Sequence, residues 1–174
     1  MSTVTEQVAI DDAAVDELRA SFRGEVLGSA DAGYEEHRRI WNGSIDRRPG
    51  LIARCAGVAD VRAAVRFGRE QGSTVAVRGG GHSFPGLSVC DNGLLIDLGP
   101  MKGVRVDPEA RTARAQAGLL LGELDRETQT FGMAVPAGIV TTTGLAGLTL
   151  GGGIGWIMRK HGLTIDNLVE AEVV

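Results

Sequence analysis

The sequence predicts an α+β fold, and three observations carry that prediction. A strand, a helix and a second strand succeed one another between residues 51 and 78, as in a βαβ unit. Short strands separated by Gly, Pro and Asp turns then replace any further βα repeat, which implies a second, meander-like sheet. Finally, 26 of the 174 residues are glycine, about twice the roughly 7% average, and they gather at residues 79–81 and 144–155, where the main chain must pass close to something.

Each element can be justified in order. Residues 11–23 set Val15, Leu18 and Phe22 on one face behind acidic first-turn residues, the pattern of an amphipathic helix, read as an entry or lid helix. A polar stretch follows. Past Pro49, Leu51-Ile52-Ala53-Arg54 reads as a short strand, and residues 58–71 as a helix with Val58, Val61, Ala64 and Val65 apolar and Gly72 just beyond its end. Residues 74–78 alternate β-branched side chains into the first glycine cluster, so those glycines sit at a strand's carboxyl end. Residues 94–98, 104–106 and 112–117 are the short strands of the second sheet. A helix over residues 119–130, with Leu120, Leu121, Leu124 and Glu127 spaced around it, ends at Gly132. Residues 166–174 read as a turn feeding an alternating strand still running at Val174, so a partial chain is expected.

Composition narrows the functional classes. An apolar fraction of 43% with 23% charged residues suits a folded globular chain of one ordinary domain or two small lobes sharing a ligand. A net charge of −4 with scattered Lys and Arg gives no basic footprint for nucleic acid. Met1 to Gln7 lack the features of a signal peptide, and no 18-residue apolar run occurs, so a cytoplasmic protein without a membrane partner is expected. Cys55 and Cys90 lack metal-ligand spacing and read as buried free thiols.

Two constellations carry chemistry. In Arg78-Gly79-Gly80-Gly81-His82-Ser83, three residues without Cβ let N–H groups converge on an anion such as a pyrophosphate. No Gly-Lys-Ser/Thr follows and no G-x-G-x-x-G spacing occurs, which weakens ATP and nicotinamide readings. The alternative is a tight structural turn, with His82, like His37 and His161, merely solvated or packed. The second constellation runs from Pro136, Ala137 and Gly138 through Thr141, Thr142, Thr143, Gly144 and Gly147 to Gly152, Gly153 and Gly155. Hydroxyls and glycines among small apolar residues suit a flat, partly apolar ligand lying on main chain. Its alternative is a close helix-packing segment.

These motifs, with Arg159-Lys160-His161-Gly162-Leu163 and Asp166-Asn167-Leu168 behind them, resemble the berberine-bridge-enzyme-like oxidases of the p-cresol methylhydroxylase/vanillyl-alcohol oxidase superfamily, over roughly residues 40–174. The resemblance implies a two-lobed α+β FAD-binding domain over residues 41–174, with lobe one at about 41–100, lobe two at about 101–174, a helical segment at 1–40 before it, and the substrate domain absent. By the same resemblance, His82 is bonded to the 8α carbon of the flavin. Arg78, Gly79, Gly80, Gly81, Ser83, Pro136, Ala137, Gly138, Thr142, Thr143, Gly144, Gly147, Gly152, Gly153 and Val173 are then its further cofactor-binding positions. The cysteine that makes a second link in many relatives is replaced by Val140, so a single link is expected. An FAD-dependent oxidoreductase is implied, taking a hydride from an alcohol or amine C–H of a small molecule and reoxidised by O₂. A flavin-binding module without turnover, or non-covalent binding that leaves His82 unmodified, are the alternatives. The general base is expected beyond residue 174, and Tyr34, the sole tyrosine, is not assigned to it.

Overall fold

The computed structural model describes residues 10–174, so the signal-peptide reading of Met1 to Gln7 lies outside the described residues. Six short strands and six helices are found among them: α1 (Asp12–Ser21), β1 (Glu25–Gly28), α2 (Tyr34–His37), β2 (Leu51–Arg54), α3 (Val58–Glu70), β3 (Val75–Arg78), β4 (Leu94–Asp97), β5 (Val104–Asp107), β6 (Thr112–Ala115), α4 (Leu121–Gln129), α5 (Leu145–Leu150) and α6 (Met158–His161).

The main sheet has the order β1-β2-β4-β3. β2 and β3 both run parallel to β4, with Ile52 opposite Leu95 and Val77 opposite Ile96. The βαβ unit is therefore real, but β4 inserts between its two strands instead of joining the later sheet. The physical reason is burial: Leu94, Leu95, Ile96 and Asp97 are all buried, and a strand covered on both faces belongs at the centre of a parallel sheet. Only β5 and β6 remain for the second sheet, an antiparallel pair with Val104 opposite Ala115.

The polar stretch before Pro49 contains more structure than its composition suggested. β1 pairs antiparallel with β2, Val26 opposite Ala53, and forms the outer edge of the main sheet. Residues 25–28 therefore share one sheet with β2, β3 and β4. The carboxylate of Asp60, 2% exposed, accepts the N–H groups of Arg23, Gly24 and Ala56 at 3.1, 3.1 and 2.8 Å, tying the α1–β1 turn to the start of α3.

Two layers cover the sheet. On one face Val15 and Leu18 of α1 and Ala64 and Phe67 of α3 pack on Leu51, Ala53, Leu94 and Ile96, with Phe22 against them. Helix α1 is thus a core element, not a lid. The buried face of α3 is also rotated from the expected one: Val58 and Val65 are exposed, and Phe67 and Gly68 take the inner position. The opposite face carries Tyr34, Ile52, Ala76, Leu95, Val89 and Cys90. Gly72 and Gly132 follow α3 and α4 at φ +57° and +66°, the left-handed turns expected of them.

The chain's last segment does not form the strand its alternation predicted. After a 3₁₀ turn at Ile165–Asn167, residues 168–174 are exposed and pair with no strand among the described residues. Alternation without a neighbour to accept the ladder leaves a strand unmade. No helix among the described residues is long and apolar enough to cross a membrane.

Candidate functional site

Strand β3 delivers the first glycine cluster, and a buried ion pair fixes where the strand ends. The Arg78 guanidinium is 2.9 Å from Asp97 Oδ2, its Nε donates to Asp97 Oδ1 at 3.2 Å, and its Nη1 donates to the Arg39 carbonyl at 3.1 Å. Arg54 and the Gly99 N–H approach the same carboxylate at 3.4 and 3.0 Å. Burial pushes the Asp97 carboxyl up; the Arg78 bonds and charge, the Gly99 N–H and the Arg54 charge outweigh it and hold the group below the usual carboxylate range. The Arg78 guanidinium is thereby committed to structure, 7% exposed beneath the turn.

The turn itself needs glycine for two different reasons. Gly81 has φ +69°, a conformation that costs most side chains strain. Gly80 meets another chain segment: a Cβ there would lie 2.3 Å from the main-chain nitrogen of Gly144. Among the described residues, the N–H groups of Gly79, Gly80 and Gly81 donate to no acceptor. Ser83 closes the turn locally, its Oγ accepting the Leu87 N–H at 3.0 Å and its carbonyl the Gly86 N–H at 3.1 Å.

His82 follows, half-buried. Its ring stacks on Trp41, with centroids 5.2 Å apart and planes 17° from parallel. Burial holds its imidazole below the ordinary range, opposed in part by the nearby main chain of Thr142.

The second constellation runs past the first. Residues 141–145 lie antiparallel to residues 119–122, with the Leu121 and Gly122 N–H groups donating to the Thr143 and Thr141 carbonyls at 2.9 Å each and the Leu145 N–H to Leu119 at 2.9 Å. Val140 and Thr142 face outward, and Gly144 starts α5. Pro136, Ala137 and Gly138 are partly buried against the end of the glycine segment: a Cβ on Gly155 would fall 1.6 Å from the Ala137 carbonyl oxygen. Gly147 borders open space. Gly152 and Gly153, at φ +100° and +79°, accept the Ile165 and Thr164 N–H groups at 3.0 Å. Their carbonyls therefore serve the local fold. Val173 is 87% exposed, and no hydrogen bond joins its segment to the His82 turn among the described residues.

The structure thus brings His82, Gly79, Gly80, Gly81, Thr142, Thr143 and Gly144 together. Sequence reasoning missed Trp41 and Asp97. The first was hidden in a stretch read as polar, where a lone tryptophan was the signal. The second ends the buried run Leu94-Leu95-Ile96, and an acidic residue closing such a run calls for a cation such as Arg78 opposite it. Cys55 and Cys90 are buried and free, as expected, and no group of three or more His, Cys, Asp or Glu could hold a metal among the described residues.

The FAD binding domain family matches residues 49–174. An FAD-linked oxidoreductase of Dictyostelium discoideum is 42% identical over 161 residues, covering 92% of this chain and 35% of that protein. Berberine bridge enzyme-like 18 of Arabidopsis thaliana is 36% identical over 131 residues, 73% of this chain and 25% of its own. The crystal structure of 6-hydroxy-D-nicotine oxidase from Arthrobacter nicotinovorans superposes with a TM-score of 0.82 at 37% identity, over 84% of this chain and 32% of that one. Glucooligosaccharide oxidase from Acremonium strictum, described with a 6-S-cysteinyl, 8α-N1-histidyl FAD, superposes with a TM-score of 0.81 at 29% identity, over 88% and 33%. The chain spans about a third of the length of such relatives. The α+β architecture expected from the sequence is the one these oxidases share, and with the family match over residues 49–174 the chain belongs to the FAD binding domain family.

Proposed function

We propose that this chain forms the flavin-holding part of an FAD-linked oxidoreductase, with His82 as the single covalent attachment point. The observation that carries the reading is the placement of a half-buried imidazole, held below its ordinary pKa by burial, directly after three glycines whose N–H groups have no acceptor among the described residues. Those N–H groups, free of any Cβ, fit the oxygens of a pyrophosphate. Thr142, Thr143 and Gly144 present main chain to the flat part of the cofactor.

When bound, the flavin supplies an acceptor for a hydride from an alcohol or amine C–H of a small molecule and passes the electrons to O₂. The residues of this chain hold and orient. His82 offers a ring nitrogen, with the Thr142 main chain close beside the ring. Val140, 48% exposed and purely apolar, has no sulfur for a thioether, which favours one link over two. The names of the relatives support the oxidoreductase reading, and the histidyl FAD of the Acremonium strictum oxidase supports the bond.

The test is direct. Protein from a flavin-replete host is denatured, precipitated with acid and digested; flavin colour should stay with the protein, and the peptide containing His82 should carry the added mass of FAD. His82→Ala should lose acid-stable flavin while retaining some dissociable FAD, because the glycine turn is main chain. Colour that washes out of the wild type overturns the covalent reading.

A further inference from the structure

We propose that Trp41 is a positioning residue for flavin attachment, its indole holding the plane of the His82 imidazole so that the free nitrogen is presented to the incoming ring. The inference rests on the reading that His82 carries the flavin, and names a residue that the binding motifs leave out.

The terminal torsion of a histidine is broad, so an unrestrained imidazole samples a wide range of planes. One restraint limits that freedom here: the Trp41 stack, with centroids 5.2 Å apart and planes 17° from parallel, fixes the tilt of the ring.

Trp41 is itself registered to the turn. Its main-chain N–H donates to the Gly81 carbonyl at 3.1 Å, and two residues earlier the Arg39 carbonyl accepts from Arg78 at 3.1 Å. The line from Asp97 through Arg78 to Arg39, and from Trp41 to His82, therefore runs from the sheet to the reacting ring. The indole contributes little to either core: it is 62% exposed and belongs to neither buried cluster. A large aromatic kept that open while lying flat on a histidine is poorly explained by stability.

Attachment joins the unprotonated His82 nitrogen to the 8α carbon. One C–H bond of that methyl breaks, the second imidazole nitrogen gives up its proton, and two electrons with two protons pass to the flavin ring. The first product holds all atoms of both reactants with the flavin reduced, and O₂ then removes two electrons and two protons as hydrogen peroxide. Such a step depends on approach angle, and an error of about 1 Å in placing reacting groups costs on the order of 100-fold in rate.

The experiment compares wild type with Trp41→Ala, Trp41→Leu and Trp41→Phe, each prepared without flavin and then given FAD. Three quantities are read: the upfield ring-current shift of the His82 ring protons before FAD is added, the dissociation constant of FAD, and the rate at which flavin becomes acid-stable. Trp41→Ala and Trp41→Leu should lose the shift, bind FAD within about threefold of wild type, and attach it on the order of tenfold or more slowly. Trp41→Phe should restore shift and rate together. Should Trp41→Ala fail to fold, Trp41→Leu keeps the bulk without the flat ring. Wild-type attachment rates in Trp41→Leu despite a lost shift would overturn the role of Trp41 alone. Weakened FAD binding in all three variants would overturn it in favour of a structural role. A wild type that never holds acid-stable flavin would overturn the attachment reading and this inference with it.

Discussion

Gly80 and Gly144 cross with no room for a side chain between them. A Cβ on Gly80 would lie 2.3 Å from the Gly144 nitrogen and 2.4 Å from its Cα, and one on Gly144 would lie 2.3 Å from the Gly80 nitrogen. This crossing brings the end of β3 against the start of α5. It also sets the separation between His82 and the Thr142 carbonyl, since each lies two residues from a crossing glycine.

Gly80→Ala should therefore be costly before any ligand arrives. The obstacle is main chain, which has little freedom to withdraw, and overpacking of this kind costs about 1–3 kcal/mol. Urea denaturation of the flavin-free protein should show the loss, and Gly80→Val a larger one, with flavin uptake falling in step. Unchanged stability in Gly80→Ala would mean that the two backbones part freely. The strain of a left-handed residue belongs one position later, at Gly81.

Asp97→Asn should destabilise by about 3–5 kcal/mol, because it leaves the Arg78 guanidinium buried without its counter-charge. The pH dependence has a definite sign. The folded carboxyl titrates below its unfolded value of about 3.9, so its contribution is present above that value and lost as pH falls through the folded pKa. Denaturation midpoints measured from neutral pH downward should drop more steeply below about pH 4 in wild type than in Asp97→Asn. Parallel curves would remove Asp97 from the acid limb.

Tyr34 is a core residue, 2% exposed, whose hydroxyl donates to the Pro49 carbonyl at 2.6 Å. Burial is the largest influence on its phenol and raises it, so the group stays a neutral donor. Tyr34→Phe should cost about 1–1.5 kcal/mol of stability, the worth of that hydrogen bond, and leave flavin attachment unchanged. A large drop in attachment rate without a stability loss would place Tyr34 in the chemistry after all.

Cys55 and Cys90 should be silent toward thiol reagents in the folded protein. Burial pushes the Cys55 thiol up to about 12, helped by the Asp60 and Asp97 carboxylates, and burial raises Cys90 as well. At pH 8 Ellman's reagent should find neither thiol in the native state and both after denaturation. Fast native labelling would show that the sheet opens locally.

What the sequence settled by itself is what neighbouring residues decide. Helix α3 follows from a 3.6-residue pattern that stops at Gly72, β2 from a short run after Pro49, and the turn at Gly81 from a residue without Cβ. The glycines around His82 were legible for the same reason, since freedom from side chains is a property of each residue alone. Tertiary structure decided everything that needs a partner distant in sequence. Leu94 to Asp97 went between β2 and β3 because burial on two faces outweighs chain order, and Glu25 to Gly28 became a strand because β2 had an open edge. Residues 168–174 alternate as a strand should, yet stay unpaired, because a ladder requires a second strand beside the first. The stack of Trp41 on His82 joins residues 41 positions apart in the numbering, and only the folded turn carries the ring of one onto the other.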